Sequence, residues 1–119
     1  SPMRSILNTG LHATSHTDAP VALPNLMQVA WATVNRTSRS GDVIGPDERV
    51  TPLEAMKMIT LWGAEQFGEQ DSKGSLEPGK QADMVILSDN PLTIDPMKIN
   101  TIIVLETIKD GNSVYIRQP

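Results

Sequence analysis

The sequence contains no cysteine and very few aromatic residues. Disulfides and thiolate metal sites are therefore excluded. The absence of cysteine fits a reducing compartment, and we expect a cytoplasmic protein. Aromatic residues make up only 3% of the chain, which also contains six methionines. Because methionine is flexible and fills irregular gaps, we expect a core of aliphatic and methionine side chains.

Long apolar runs and clusters of positive charge are also missing. No segment approaches the roughly 20 apolar residues that span a bilayer, and residues 1–10 lack the apolar region of a signal peptide. Lysine and arginine are scattered, and the formal net charge is -4. Nucleic-acid binding needs clustered cations that neutralise phosphates. We therefore expect neither a nucleic acid nor a membrane as a partner.

The residues that are present favour a folded α+β protein. Of 119 residues, 39% are hydrophobic and 20% are charged, a composition that disfavours disorder. Helical patterns occupy residues 1–10, 24–36 and 50–68. Thr51 and Glu54 give the third helix a capping box. Trp31 and Trp62 are expected in the core.

Strand patterns dominate the second half of the chain. Residues 82–88 are a nearly continuous apolar run, as in a strand covered on both faces. Residues 102–117 predict a hairpin, because Asp110-Gly111 suits a type I′ turn. We divide the chain into residues 1–70 and 71–119. So few strands leave both sheet edges open and the run "IIVL" with an unpaired flank, so we expect partner strands to be missing and the chain to form homo-oligomers.

The stretch "SHTDAPVALPN", residues 15–25, is the first candidate for a functional site. Residues 11–16 have the composition of a strand, which the Asp-Ala-Pro sequence would end. On a strand His16 and Asp18 would point to the same face about 6.6 Å apart, a spacing that can chelate one ion. The same Asp-Ala-Pro sequence is also a common start of a turn, in which aspartate bonds to the backbone ahead. Both interpretations stay open on the residues alone.

Longer motifs resemble a known family. The segments "GSLEPGKQADMVILSDNPL" and "VLETIKDGNSVY" resemble the C-terminal end of metal-dependent amidohydrolases of the family 3 type. Residues 31–64 resemble the helical stretch of that family, and residues 1–21 resemble its last barrel strand and the preceding helix. The resemblance implies the final part of a TIM-like barrel followed by the last strands of a small β-sandwich. A whole barrel takes roughly 250 residues, so the chain would be a C-terminal fragment.

The same resemblance implies a chemistry for Asp18. In the family, an aspartate before Ala-Pro ligates a divalent metal, zinc being our expectation, or takes a proton from metal-bound water. The intact enzyme would hydrolyse carbon–nitrogen bonds of a small amide-type substrate. His16 departs from the family, which has Gly-Ser before this aspartate, and is a metal-ligand candidate from its spacing alone. Arg36 matches a family arginine that reaches substrate or braces a loop; a cation at a helix C-terminus is the simpler interpretation.

Two expectations limit these assignments. A catalytic zinc site takes about three protein ligands and a water, so the isolated chain is expected to be inactive and without a metal. The alternative is a non-catalytic interaction or scaffold module that self-associates. Gly74, Gly79 and Asp83 match the family tail and are expected to shape turns and strands. The sequence "GSLEPGK" lacks the Gly-Lys-Ser/Thr ending of a phosphate loop, so we predict no nucleotide site.

Overall fold

A computed structural model describes all residues, 1–119, as short helices followed by one small sheet. The elements are α1 (Met3–Asn8), α2 (Leu26–Asn35), α3 (Pro52–Met58), α4 (Leu61–Gln66), β1 (Met84–Leu87), β2 (Val104–Lys109) and β3 (Asn112–Ile116). Two 3-10 helices cover Pro46–Glu48 and Pro96–Thr101. None of the helices is long and apolar enough to cross a membrane.

The helix starts follow from local capping. Asn25 precedes α2, and its side-chain oxygen accepts hydrogen bonds from the backbone N–H groups of Met27 and Gln28. Thr51 and Glu54 form the expected capping box at the start of α3. The helix predicted over 50–68 is nevertheless two helices, because Thr60 between them has a non-helical backbone. The Thr60 hydroxyl donates to the carbonyl of Met56 at 2.7 Å.

The sheet is antiparallel with the strand order β1-β2-β3. The β2–β3 hairpin turns at Asp110 and Gly111, whose φ values are +49° and +76°, as a type I′ turn requires. Strand β2 is paired on both sides from Glu106 to Lys109. In "IIVL", Val104 lies opposite Leu87 and Leu105 accepts the backbone N–H of Arg117, whereas residues 102–104 have no partner in β3. The open edges belong to β1 and β3.

Strand β1 also differs from the expectation of a strand covered on both faces. Val85 and Ile86 are 51% and 46% exposed. The run is apolar, but no second layer of this chain packs over those side chains. The exposed apolar sheet face, which we define as Ile86, Ile103, Leu105 and Ile116, lines a cleft with Glu106 and the last three residues.

The core is small for a chain of this length. Only eleven residues are buried, and the central cluster comprises Ala30, Val34, Val50, Ala55, Met58, Trp62 and Ile99. Trp62 is thus in the core as expected, whereas Trp31 packs at its margin and donates its indole N–H to the carbonyl of Met97 at 2.9 Å. The radius of gyration is 14.8 Å, above the about 13.5 Å of a compact domain of this size.

Candidate functional site

Asp18 lies at the end of an extended segment and begins a turn. Its φ is +52°, and its carbonyl accepts a hydrogen bond from the backbone N–H of Val21 at 2.8 Å. The side chain is exposed. The strand expected over residues 11–16 is not formed, because this chain supplies no neighbouring strand to pair with it.

Contacts with the fourth helix hold the segment that leads to Asp18. The ring of His12 stacks on Trp62 with centroids 4.5 Å apart, and its Nδ1 is hydrogen-bonded to the Glu65 carboxylate. The Thr14 hydroxyl donates to Oε1 of Gln66 at 2.8 Å. These contacts fix residues 12–14 against α4, so the direction in which the chain reaches Asp18 is set by the helices.

His16 contacts the backbone of Asp18. The backbone N–H of Asp18 donates to Nδ1 of His16 at 3.0 Å, and the ring is exposed. The two side chains therefore lie in one turn. The argument from their spacing had placed them on one face of a strand. Chelation of one ion by the two side chains stays a prediction.

A cleft of about 450 Å³ opens beside this turn. His16 and Thr17 form one wall, and the second helix forms another through Gln28, Val29, Ala32 and Thr33. No aspartate or glutamate lines the cleft, although the chain carries 14 of them. The cleft therefore offers hydroxyl, amide and apolar groups, with Arg36 as its single permanent cation.

The helix wall of this cleft was missed by the sequence reasoning. The core face of α2 carries Met27, Ala30 and Val34, and this periodicity hides a second face made of residues 28, 29, 32, 33 and 36. The apolar Val29 and Ala32 lie off the core face of an otherwise amphipathic helix. These two apolar residues outside the core face were the feature of the sequence that could have indicated the cleft.

Arg36 ends the second helix with φ +57° and joins three parts of the chain. Its Nε donates to the carbonyl of Ile44 at 3.0 Å, and Nη1 donates to the carbonyl of Ser1 at 2.9 Å. These bonds brace the loop after the helix, one of the two roles that the resemblance implied. Its Nη2 makes no hydrogen bond within the chain, and the residue lines the cleft.

The first helix borders the cleft through Met3 and is held by one ion pair and by hydrogen bonds to a second carboxylate. The Arg4 guanidinium forms two hydrogen bonds with the Glu54 carboxylate. This pairing, together with bonds from Thr51, lowers the pKa of Glu54 from 4.5 to about 2. Bonds from the Ser5 hydroxyl and backbone N–H lower the pKa of Glu48. Since the helix has no side-chain cap of its own, these carboxylates position it.

The described residues do not form a metal centre by themselves. No group of three or more His, Asp or Glu side chains converges anywhere in residues 1–119. Asp18 fits one part of such a centre, because its carboxylate is exposed and accepts no hydrogen bond within the chain. The remaining ligands that a zinc ion takes would have to come from other residues.

Comparisons with known proteins agree on one family. The chain is 32% identical over 116 residues to the N-substituted formamide deformylase of Arthrobacter pascens, covering 98% of this chain and 21% of that protein. It is 27% identical over 119 residues to the 5-methylthioadenosine/S-adenosylhomocysteine deaminase of Thermodesulfovibrio yellowstonii, covering 98% of this chain and 27% of that protein. The chain thus spans about a fifth to a quarter of the length of these relatives.

Solved structures show the same relationship. An amidohydrolase from Thermotoga maritima MSB8 superposes with a TM-score of 0.68 at 26% identity, over 97% of this chain and 26% of that one. Guanine deaminase of E. coli superposes with a TM-score of 0.72 at 22% identity, over 97% of this chain and 30% of that one, and supports the fold alone. The profile of the amidohydrolase family matches residues 1–115. The chain belongs to the amidohydrolase family.

Proposed function

We propose that this chain supplies Asp18 to the active site of a hydrolase that cleaves carbon–nitrogen bonds in small amide-type molecules. The observation that carries the proposal is the exposed Asp18 carboxylate, free of hydrogen bonds, which directly follows Thr17 of the cleft wall in a member of the amidohydrolase family. The relatives named above are a deformylase of formamides and a deaminase. Both names describe reactions in which a C–N bond is cleaved.

Asp18 would act as a ligand of a divalent metal, zinc in this proposal, or as the acceptor of a proton. A bound divalent ion lowers the pKa of its water to about 7, which makes hydroxide available at neutral pH. A carboxylate within hydrogen-bond reach can hold the proton that is released and pass it to the leaving nitrogen. The turn that begins at Asp18 leaves both carboxylate oxygens accessible for this role.

The rest of the active site would lie outside these residues. We propose that residues 1–70 complete a TIM-like barrel and that residues 71–119 complete a β-sandwich in a longer protein. Two features support this: the small core and the exposed apolar sheet face, which in a sandwich would be covered by a second sheet. The 119-residue chain alone would then be inactive, because it brings too few ligands together.

The test is hydrolysis of a simple N-alkyl formamide by a protein that carries this chain within a complete barrel. We expect release of amine and formate, loss of that activity on chelation and its return on addition of zinc. The isolated chain should show none of it. Hydrolysis that is unaffected by chelation, or equal activity in the isolated chain, would contradict the proposal.

A second candidate is favoured by one observation, the exposed apolar sheet face. A non-catalytic module would use that face to bind a second copy of the chain, and the isolated chain is expected to self-associate through it in either case. The two candidates separate on the sequence that precedes Ser1. A His-x-His strand and further barrel strands in frame support the hydrolase, whereas a start codon at this point supports the module.

A further inference from the structure

We propose that His16 is a substrate-binding residue whose Nε2–H donates a hydrogen bond to the carbonyl oxygen of the amide, and that it is not a metal ligand. The inference rests on the proposed function for the identity of the substrate. It concerns a residue at which this chain departs from the family pattern that it otherwise resembles.

The hydrogen bond from Asp18 fixes the tautomer of the His16 ring. A backbone N–H can only donate, and the N–H of Asp18 points at Nδ1 of His16 over 3.0 Å. Nδ1 must therefore be the acceptor, and in a neutral imidazole the single proton then lies on Nε2. Neither nitrogen has a free lone pair for a metal ion. The ring instead presents one N–H donor.

The position of that donor fits an amide carbonyl. His16 lines the cleft, its ring is exposed, and its Nε2 makes no hydrogen bond within the chain. As the carbonyl carbon is attacked, its oxygen gains negative charge, and a donor already aimed at that oxygen stabilises the transition state. The bond that orients the ring comes from the backbone of Asp18, so the donor lies beside the residue that carries the carboxylate.

The other cleft walls indicate a neutral substrate with an apolar N-substituent. Val29, Ala32 and Leu23 supply apolar surface, and Thr17 and Gln28 supply neutral polar groups. Without a carboxylate in its lining, the cleft has nothing to pair with a cationic ligand. An N-alkyl amide is therefore preferred over the amine that its hydrolysis releases.

The first experiment reads the tautomer in the 119-residue chain, with nitrogen-15 NMR at a pH above about 8, where imidazoles are generally neutral. His12 is an internal comparison, because its Nδ1 faces the Glu65 carboxylate and should carry the proton. We expect Nε2–H on His16 and Nδ1–H on His12, with no change at His16 on addition of zinc chloride. A proton on Nδ1 of His16, or zinc bound to its ring, would overturn the inference.

The second experiment measures ligand binding and catalysis. N-butylformamide should shift the His16 ring resonances of the metal-free chain, butylamine should not, and His16→Phe should weaken binding about fivefold. In the longer protein His16→Phe should lower kcat about 100-fold without loss of metal, and His16→Gln, which keeps a donor, should recover most of it. The donor role is rejected if His16→Phe binds N-butylformamide as tightly as the wild type, or if the longer protein loses its metal when it carries His16→Phe. Binding at His16 without hydrolysis would reject only the proposed function.

Discussion

At the scale of single residues, Gly74 has the strictest steric requirement in the chain. Its φ is +94°, and a Cβ built there would lie 2.6 Å from the Cβ of Ala64 and 3.1 Å from the Cα of Leu61. The turn after the fourth helix can therefore approach that helix only without a side chain at this position. The sequence resemblance indicated a turn at Gly74, but the close approach of Gly74 to the fourth helix is visible only in the structure.

We expect Gly74→Ala to lower the free energy of unfolding by about 2–4 kcal/mol, because a strained φ and an overlap with the helix add together. The matched control is Gly79→Ala, which has a φ of +93° but open space around the added Cβ. Gly79→Ala should lower the free energy of unfolding by only about 1–2 kcal/mol, because only the strained φ contributes. Urea unfolding of both variants measures the difference, and equal losses would contradict the overlap.

Glu54 is the residue that makes stability depend on acidity. Its pKa is lowered from 4.5 to about 2 in the folded chain, chiefly by Arg4. A carboxyl group of lowered pKa stabilises the fold fully above about pH 4.5, and this contribution is lost as the pH falls towards 2. The side chain is a quarter exposed, so we allow for solvent screening and expect about 1–2 kcal/mol at neutral pH.

Glu54→Gln should therefore be less stable than the wild type at pH 7, and the gap should close as the pH approaches 2. The control is Glu69→Gln, which removes a more exposed pair with Lys73 and should change stability little. Urea midpoints measured between pH 7 and pH 2 give the comparison. A gap that stays constant over this range would show that the ion pair is not its source.

At the scale of elements, the hairpin is fastened to the strand before it. Oδ1 of Asp83 accepts the backbone N–H of Asp110 at 2.8 Å, and the carbonyl of Ala82 accepts that of Gly111 at 3.0 Å. These two bonds hold the turn of the β2–β3 hairpin against the start of β1. The resemblance assigned Asp83 to strand geometry, and the contact gives the physical reason.

Asp83→Ala should free the turn and leave the rest of the sheet paired. A hydrogen bond to a charged acceptor contributes about 1.5–3 kcal/mol when shielded, and this one is exposed, so we expect about 1 kcal/mol. The sharper measurement is amide hydrogen exchange, in which Asp110 should lose protection. Asp89→Ala, which removes only a bond to the adjacent Asn90, is the control. Unchanged protection of Asp110 in Asp83→Ala would remove the fastening role.

Helix caps and turns that are set by residues close together in the chain could be predicted from the sequence. The cap at Thr51 and the turn at Asp110-Gly111 are set within a few residues, and the pattern indicates both directly. The helical pattern over 24–36 indicates the second helix but not its cap at Asn25. The extended segment over 11–16 and the covering of β1 depend on strands that this chain lacks. The break at Thr60 lies in the non-helical backbone of that residue, which hydrophobic periodicity does not reveal.

At the scale of the whole molecule, the exposed apolar sheet face is the main departure from a self-contained domain. Leu105 and Ile116 are 37% and 58% exposed on adjacent strands, and the edge strand β3 carries no charged residue or proline that would block pairing. In the candidate site, the resemblance indicated Asp18. The cleft could not be predicted from the sequence, because it forms only where α2 packs beside residues 14–17.

We expect the isolated chain to associate at high concentration and Ile116→Glu to stay monomeric, since a charge on this face opposes its burial. Leu76→Glu is the control, because Leu76 is 73% exposed but does not line the cleft of the sheet face. Sedimentation velocity over a range of concentrations distinguishes them. A wild-type chain that remains monomeric throughout would reject association through this face.

The most direct test of the account is the rate of N-alkyl formamide hydrolysis by a complete protein carrying Asp18→Asn. Because asparagine cannot accept the proton or supply a negative ligand, we predict a loss of about 1,000-fold in kcat/KM. Asp42→Asn, in the exposed loop after the second helix, should leave the rate unchanged. Asp18→Asn that retains the wild-type rate would contradict the central claim.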